Sequence, residues 1–263
     1  MAAEFQNFQS PTACQRLAVR EPPNDFAVMY QRWAGLLFLH WPVDPAIIQD
    51  RLPRGLKVDT FNGEAWLGVV PFFMERVRPR MLPTVPGLSW FMELNVRTYV
   101  YDAEGRPGVW FFSLDCNQFL AVQIAKQFFH LPYEYAKMQS QRGNNQINYH
   151  CRRGAKQADY IYQEPRVAHL AESGSLEWFL VERYLLFSEK RDGSLYCGRV
   201  HHLPYRISAM ACEKWSAEPL AWNGFEVPQN APPSVLVAKP VDVSIFPLRK
   251  FQGRRILEVI PPL

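Results

Sequence analysis

Turn signals recur about every ten residues along this chain, a spacing that reads as short strands and leaves little room for long elements. Twenty-two prolines, against 14 glycines, do most of the breaking. Proline fixes φ and removes a backbone donor, so it stops helices and is confined to strand edges and ends. Between the breaks the chain is rich in material for a core. It is 48% hydrophobic and 14% aromatic, enough to exclude disorder over most of its length.

The pattern predicts about ten short strands and two or three small helices, with no strand–helix alternation. Residues 1–30 read as a polar lead-in arm, and Trp33 to Trp41 as a buried strand. Asp44-Pro45 starts a helix over Pro45 to Arg51, Asp as N-cap and Pro in the first turn. Asn62-Gly63 between two apolar runs predicts a hairpin of Gly55–Phe61 with Ala65–Met74. A second hairpin joins Met92–Tyr101 to Val109–Leu114. Leu120, Ile124 and Phe128 recur every fourth residue, which predicts a helix capped by Asp115 or Asn117 and ended near Pro132. Further strands fall at Ile147–Arg153 and Tyr160–Glu164. A short helix falls at Leu176–Glu182, a hairpin at Tyr184–Glu189 with Tyr196–His202, and a last strand at Val235–Phe246. No linker divides this run, so one domain is expected over 31–250, with a tail over 251–263.

Several function classes are disfavoured. Net charge is only +4, with 29 basic residues interleaved with 25 acidic ones, which argues against nucleic acid as a partner. Arg76, Arg78 and Arg80 alternate along one extended face, and Arg249, Lys250, Arg254 and Arg255 cluster near the end. Both read as solvated charge, with an anion site as the alternative. The five cysteines are odd in number and contain no CxxC, pointing to reduced thiols rather than disulfides or a zinc knuckle. The N-terminus resembles no secretory signal, and Gly35 to Leu39 is too short an apolar run to span a bilayer. A cytoplasmic protein with no membrane partner is the expectation. No nucleotide, GxSxG or HExxH signature is present, and His201-His202 cannot share one ion because strand neighbours face opposite ways. No metal and no cofactor are expected. A homo-oligomer stays open.

One set of strings is distinctive: Phe91-Met-Glu-Leu-Asn-Val-Arg-Thr-Tyr-Val100, Pro107-Gly-Val-Trp-Phe-Phe-Ser-Leu-Asp115, Leu131-Pro-Tyr133, Gly174-Ser-Leu-Glu177, Glu182-Arg-Tyr184 and Val200-His-His202. Together, from Trp33 to Phe246, they resemble the YqjF-like family, grouped with acetoacetate decarboxylase. The resemblance implies a mostly β fold, an antiparallel conical or partly open barrel with a few short helices around a pocket. Acetoacetate decarboxylases carry Gly-Arg-Glu-x-x-Gly-x-Pro-Lys, whose lysine forms an imine with the ketone. The similar string here runs from Ala125 to Tyr133: the basic residue is Lys126, Pro132 is kept, and Tyr133 stands in the lysine's place. A phenol cannot condense with a ketone, so imine chemistry is lost there. Lys137, one helical turn after Tyr133, is the other candidate amine.

The superfamily also places a pocket glutamate on a strand resembling Met92 to Tyr101, and Glu93 falls in that position. Alternation independently puts Glu93, Asn95 and Arg97 on one face of this strand. Glu93 and Arg97 are about 13 Å apart along it, too far for a simple ion pair. These residues read either as an ordinary solvent-facing edge or as a site. In the second reading, Glu93 and Tyr133 form an acid/base or hydrogen-bonding pair. Asn95, Arg97 and Lys126 orient the ligand, with Arg183 and His202 as further contacts. The ligand is a small molecule bearing a carbonyl or carboxylate, met by a non-imine lyase or hydrolase, or by a non-catalytic binding or sensing module.

Overall fold

The computed structural model describes residues 8–251. In chain order its elements are α1 (Ala13–Ala18), β1 (Met29–Ala34), β2 (Leu36–Val43), α2 (Pro45–Gln49), β3 (Leu56–Val58), β4 (Ala65–Pro79), β5 (Phe91–Asp102) and β6 (Pro107–Cys116). Next come α3 (Phe119–Phe128), β7 (Tyr133–Tyr135), β8 (Lys137–Gly143), β9 (Gln146–Arg153), β10 (Lys156–Gln163), β11 (His169–Leu170) and α4 (Leu176–Val181). The last are β12 (Leu185–Glu189), β13 (Leu195–His201), β14 (Arg206–Ala209), α5 (Glu218–Trp222), β15 (Ser234–Ala238), β16 (Val241–Ile245) and β17 (Arg249–Phe251).

Seven strands close a ring, β4-β1-β16-β13-β12-β6-β5, with β5 returning to β4. β4 makes this closure possible. Its first half pairs with β2 (Val69 opposite Leu39), its second half with β1 (Phe73 opposite Ala34), and its other edge with β5 along the whole contact. Gly35 is the corner. At φ +55 it bends the chain between β1 and β2, and a Cβ there would lie 2.9 Å from the Phe73 ring. The single strand expected over Trp33–Trp41 is therefore two strands. β2 leads outward through β15, β14 and β11.

The barrel is mixed, not antiparallel throughout: β12 runs parallel to β6, as does the short β7. Parallel neighbours need a long crossover, and the chain between β6 and β12 supplies one that local turn signals do not show. Other differences are equally local. The Asn62-Gly63 turn forms with both residues at positive φ, yet only Phe61 and Glu64 bridge across it, and β3 pairs with β5. The α3 cap is Gln118, because Asp115 and Asn117 are engaged elsewhere, with Arg153 and the Met92 amide. The stretch after Pro132 is strand, not helix, so Lys137 opens the exposed edge of β8 rather than sharing a helical face with Tyr133.

A separate sheet, β8-β9-β10, covers the outer face of β4 and β5. Met92, Leu94 and Val96 point outward into this second core, against Tyr149 and Cys151. That leaves the opposite face of β5 to the barrel interior. Residues 8–28 also lie against the barrel. Arg16 of α1 forks onto Asp59 with two bonds of 2.7 Å, and β1 begins at Met29, inside the segment expected as an arm. The expected alternation of Arg76, Arg78 and Arg80 is broken, because Arg76 takes φ +54 at a register shift against β1 and Arg80 lies past the end of β4. Arg78 lies over Tyr30 and Arg80 over Phe26, while Arg249 pairs with Asp25. Arg254, Arg255 and the tail from 252 lie outside the described residues. No helix among the described residues is long and apolar enough to cross a membrane.

Candidate functional site

The barrel encloses a cavity of about 470 Å³ whose wall is mainly aliphatic and aromatic. β5 supplies its chemistry by simple alternation. With Met92, Leu94 and Val96 turned outward, Glu93 and Arg97 line the cavity. Asn95 is buried on the same face at 4% exposure, beside Glu93. Opposite the step from Val96 to Arg97, β6 carries a bulge in which Phe112 is the extra residue, and it is β6 that bends there.

Glu93 is 3% exposed and accepts a 2.8 Å hydrogen bond at Oε2 from the Tyr133 hydroxyl. Its carboxyl is pushed from 4.5 to about 7. Burial is the main cause. The bonds from Tyr133 and Asn95 pull the other way, favouring the carboxylate without overcoming the lost hydration, and the charge of Asp115 adds a small upward push. The same burial, with the carboxylate beside it, drives the Tyr133 phenol well above its ordinary value, so it stays a proton donor. Tyr133 reaches this position because α3 ends abruptly. His130 adopts φ +51 after the last turn, Pro132 prevents continuation, and β7 is stitched to β6 by the Leu114 amide on the Pro132 carbonyl.

Two arginines face the cavity some way along from this pair. Arg97 is half-buried, and Nη2 donates to the Leu180 carbonyl at 3.3 Å. No carboxylate among the described residues pairs with it, and its Nε is buried without a partner. Arg183 is fully enclosed. It donates from Nε to the Phe179 carbonyl and from Nη1 to Asp59 at 2.7 Å, while Nη2 has no partner. Burial alone would raise the Asp59 carboxyl, but Arg183 and Arg16 outweigh it and hold the group below its ordinary value. Tyr99 lies between the two arginines, with guanidinium carbons 5.7 and 4.9 Å from its ring centroid. Its hydroxyl meets the Leu180 carbonyl at 2.8 Å and His40 Nε2 at 2.6 Å. Burial keeps His40 neutral.

Five of the seven expected site residues therefore gather at one cavity: Glu93, Tyr133, Arg97 and Arg183 in its wall, and Asn95 against Glu93. Lys126 does not join them. It sits on the solvent face of α3, side chain 43% exposed, and pairs loosely with Glu134 at 3.6 Å. The helix turns Ala121 and Ala125 inward instead. His202 stands behind the wall, ring to ring with Tyr184 and Tyr205. Its Nδ1–H donates to the Leu203 carbonyl, and burial pushes it down to about 4, so it is a neutral packed ring. Arg183 pairs with Asp59 rather than its neighbour Glu182, which takes the Tyr184 hydroxyl and Tyr205 amide. Gln31 and Trp33 of β1 line the cavity and were not anticipated; reading residues up to Tyr30 as an arm hid the alternation Met29, Gln31, Trp33 that points inward. No lysine lines the cavity among the described residues. Nor do they contain a group of three or more His, Cys, Asp or Glu placed to hold a metal.

Comparison with known proteins agrees with this architecture. Among solved structures, the enduracididine biosynthesis enzyme MppR complexed with pyruvate superposes with a TM-score of 0.62 at 12% identity, over 88% of this chain and 92% of that one. An acetoacetate decarboxylase-like enzyme from Sphingomonas wittichii RW1 gives 0.59 at 16% identity, covering 86% and 94%. Acetoacetate decarboxylase from Legionella pneumophila gives 0.59 at 12%, covering 96% and 98%. At these identities the likeness is one of fold. A sequence relative is nearer: the uncharacterized protein YqjF of Bacillus subtilis is 39% identical over 232 residues, 87% of this chain and 95% of that protein. A family model, DUF2071, described as an uncharacterized conserved protein, matches residues 30–242. With most of its length matched, the chain belongs to the DUF2071 family, built on an acetoacetate decarboxylase-like barrel.

Proposed function

We propose that the barrel cavity binds a small organic molecule bearing a carbonyl or carboxylate, and that Glu93 and Tyr133 move a proton on it without an imine. The observation that carries this reading is Glu93 itself: a buried carboxyl at about 7, held by a tyrosine that stays protonated, in a cavity whose wall is mainly apolar. Buried carboxyls displaced toward neutrality mark acid/base sites. At pH 7 Glu93 is divided between its two forms. The ionised form takes a proton from the carbon next to a carbonyl: the C–H bond breaks, an O–H bond forms on Glu93, and the electron pair moves to the carbonyl oxygen. Arg97, with no carboxylate of its own, offsets the negative charge of the ligand. The oxo acid in the MppR complex supports the ligand class. A cytoplasmic setting fits the expected reduced thiols; Cys14, Cys116, Cys151 and Cys212 are free thiols.

The test is solvent exchange at carbon. With 2-oxobutanoate in deuterated buffer at pH 7, the protein is expected to accelerate loss of the C3 proton signal. Glu93→Gln should abolish the acceleration while the acid still binds, and Arg97→Met should weaken binding. Exchange that survives in Glu93→Gln overturns the proton-transfer role. The mainly apolar wall favours a second reading, a binding or sensing module; binding without exchange in the wild-type protein selects it.

A further inference from the structure

The ends of the cavity differ, and the difference names a ligand. At the inner end, Arg97 Nε, Arg183 Nη2 and Trp33 Nε1 are hydrogen-bond donors buried with no partner, all on residues that line the space. Arg97 and Arg183 hold adjacent carbonyls of α4, those of Leu180 and Phe179, so their guanidinium groups are neighbours. Asp59 is the carboxylate that serves Arg183, and it is already shared with Arg16, while Arg97 has none among the described residues. Unsatisfied buried donors and surplus positive charge are costly in an apolar site. An anionic head with several acceptor oxygens answers both at once.

The outer end is the opposite. Leu82, Val85 and Leu88, in the segment joining β4 to β5, line the cavity and are also exposed, as are Leu120 and Ile124 of α3. Residues that touch both cavity and solvent mark the mouth. Here the rim is aliphatic, and its outer flank carries Met81 and Phe128, 85% and 63% exposed. A head-sized ligand such as a three- or four-carbon oxo acid leaves this rim unused.

Resting on the reading of the cavity as a ligand site, we propose that its ligand is an amphipathic aliphatic acid. Its carboxylate lies among Arg97, Arg183 and Trp33, and its hydrocarbon chain leaves between α3 and the 82–88 segment. Chain length then becomes the determinant of specificity.

The experiment is a calorimetric binding series with straight-chain 2-oxo acids of four, six, eight and ten carbons, on the full chain at pH 7. Affinity is expected to rise about fourfold for each added methylene, the increment for burying a CH₂. In Leu88→Asn and Leu120→Asn, which alter exposed side chains and should fold normally, that increment is expected to fall by half or more. A flat series in a protein whose binding still depends on Arg97 overturns the chain assignment and leaves the reading of the site standing. No binding at any length removes both. An undiminished rise in both rim variants places the chain elsewhere and overturns the proposal. So does a flat series with concentration-dependent mass that the rim variants abolish, which assigns the rim to a second copy.

Discussion

Replacing Glu93 by glutamine should make the protein more stable at alkaline pH than the wild type, and the gain can be sized. The carboxyl sits at about 7 in the fold against 4.5 for the ordinary group. The folded state therefore holds this proton more tightly than the unfolded chain. Its contribution to stability is full below pH 4.5, falls as pH rises from there to about 7, and stays lost above that. A displacement of about 2.5 in pKa, at about 1.36 kcal/mol for each, comes to roughly 3 kcal/mol. Glutamine keeps the shape and an acceptor for the Tyr133 hydroxyl but does not titrate. Urea unfolding of both proteins from pH 4.5 to 8.5 isolates the effect, because the other titrating groups largely cancel in the difference. Relative to wild type, Glu93→Gln should gain about 3 kcal/mol across that range, most of it by pH 7.5. Parallel profiles would refute the reasoning, since they require Glu93 to titrate alike in the folded and unfolded chain.

Three further outcomes follow from the same geometry. Tyr133→Phe deletes the 2.8 Å bond to Glu93, so it should cost about 1–2 kcal/mol at pH 8 by urea unfolding and raise the Glu93 pKa above about 7. Arg183→Met leaves the buried Asp59 with Arg16 alone and should destabilise by about 3 kcal/mol or more, visible as a lowered Tm; Arg16→Met, at a partly exposed position, should cost less. Incubation with acetoacetate followed by borohydride should leave the intact mass unchanged, because Lys126 and Lys137 lie in solvent away from the cavity. A stoichiometric adduct on either lysine would revive imine chemistry.

Strand alternation and turn chemistry carried much of the fold into view from the sequence. The face of β5 is the clearest case: Glu93, Asn95 and Arg97 on one side and Met92, Leu94 and Val96 on the other follow from a period of two. So does α2, whose Asp44 cap bonds the Ala46 amide as its position before Pro45 implies. What stayed hidden is non-local. Nothing near β12 announces a parallel partner in β6, and nothing near Leu56 says that β3 joins β5 across the sequence. Lys126 was assigned by register against a remote motif, but the amphipathic turn of α3 decides which residues face inward, and it chooses Ala121 and Ala125. Asp59, Gln31 and Trp33 carry no motif; their importance comes from what folds against them, two arginines in the first case and the cavity in the others.

The most direct test of the central claim is a carbon-13 titration of the Glu93 carboxyl, assigned by comparison with Glu93→Gln, in the absence and presence of 2-oxooctanoate. The account predicts a midpoint at about 7 in the free protein, moved upward when the acid places its negative charge in the same apolar space. A midpoint near 4.5, unmoved by the acid, would contradict it.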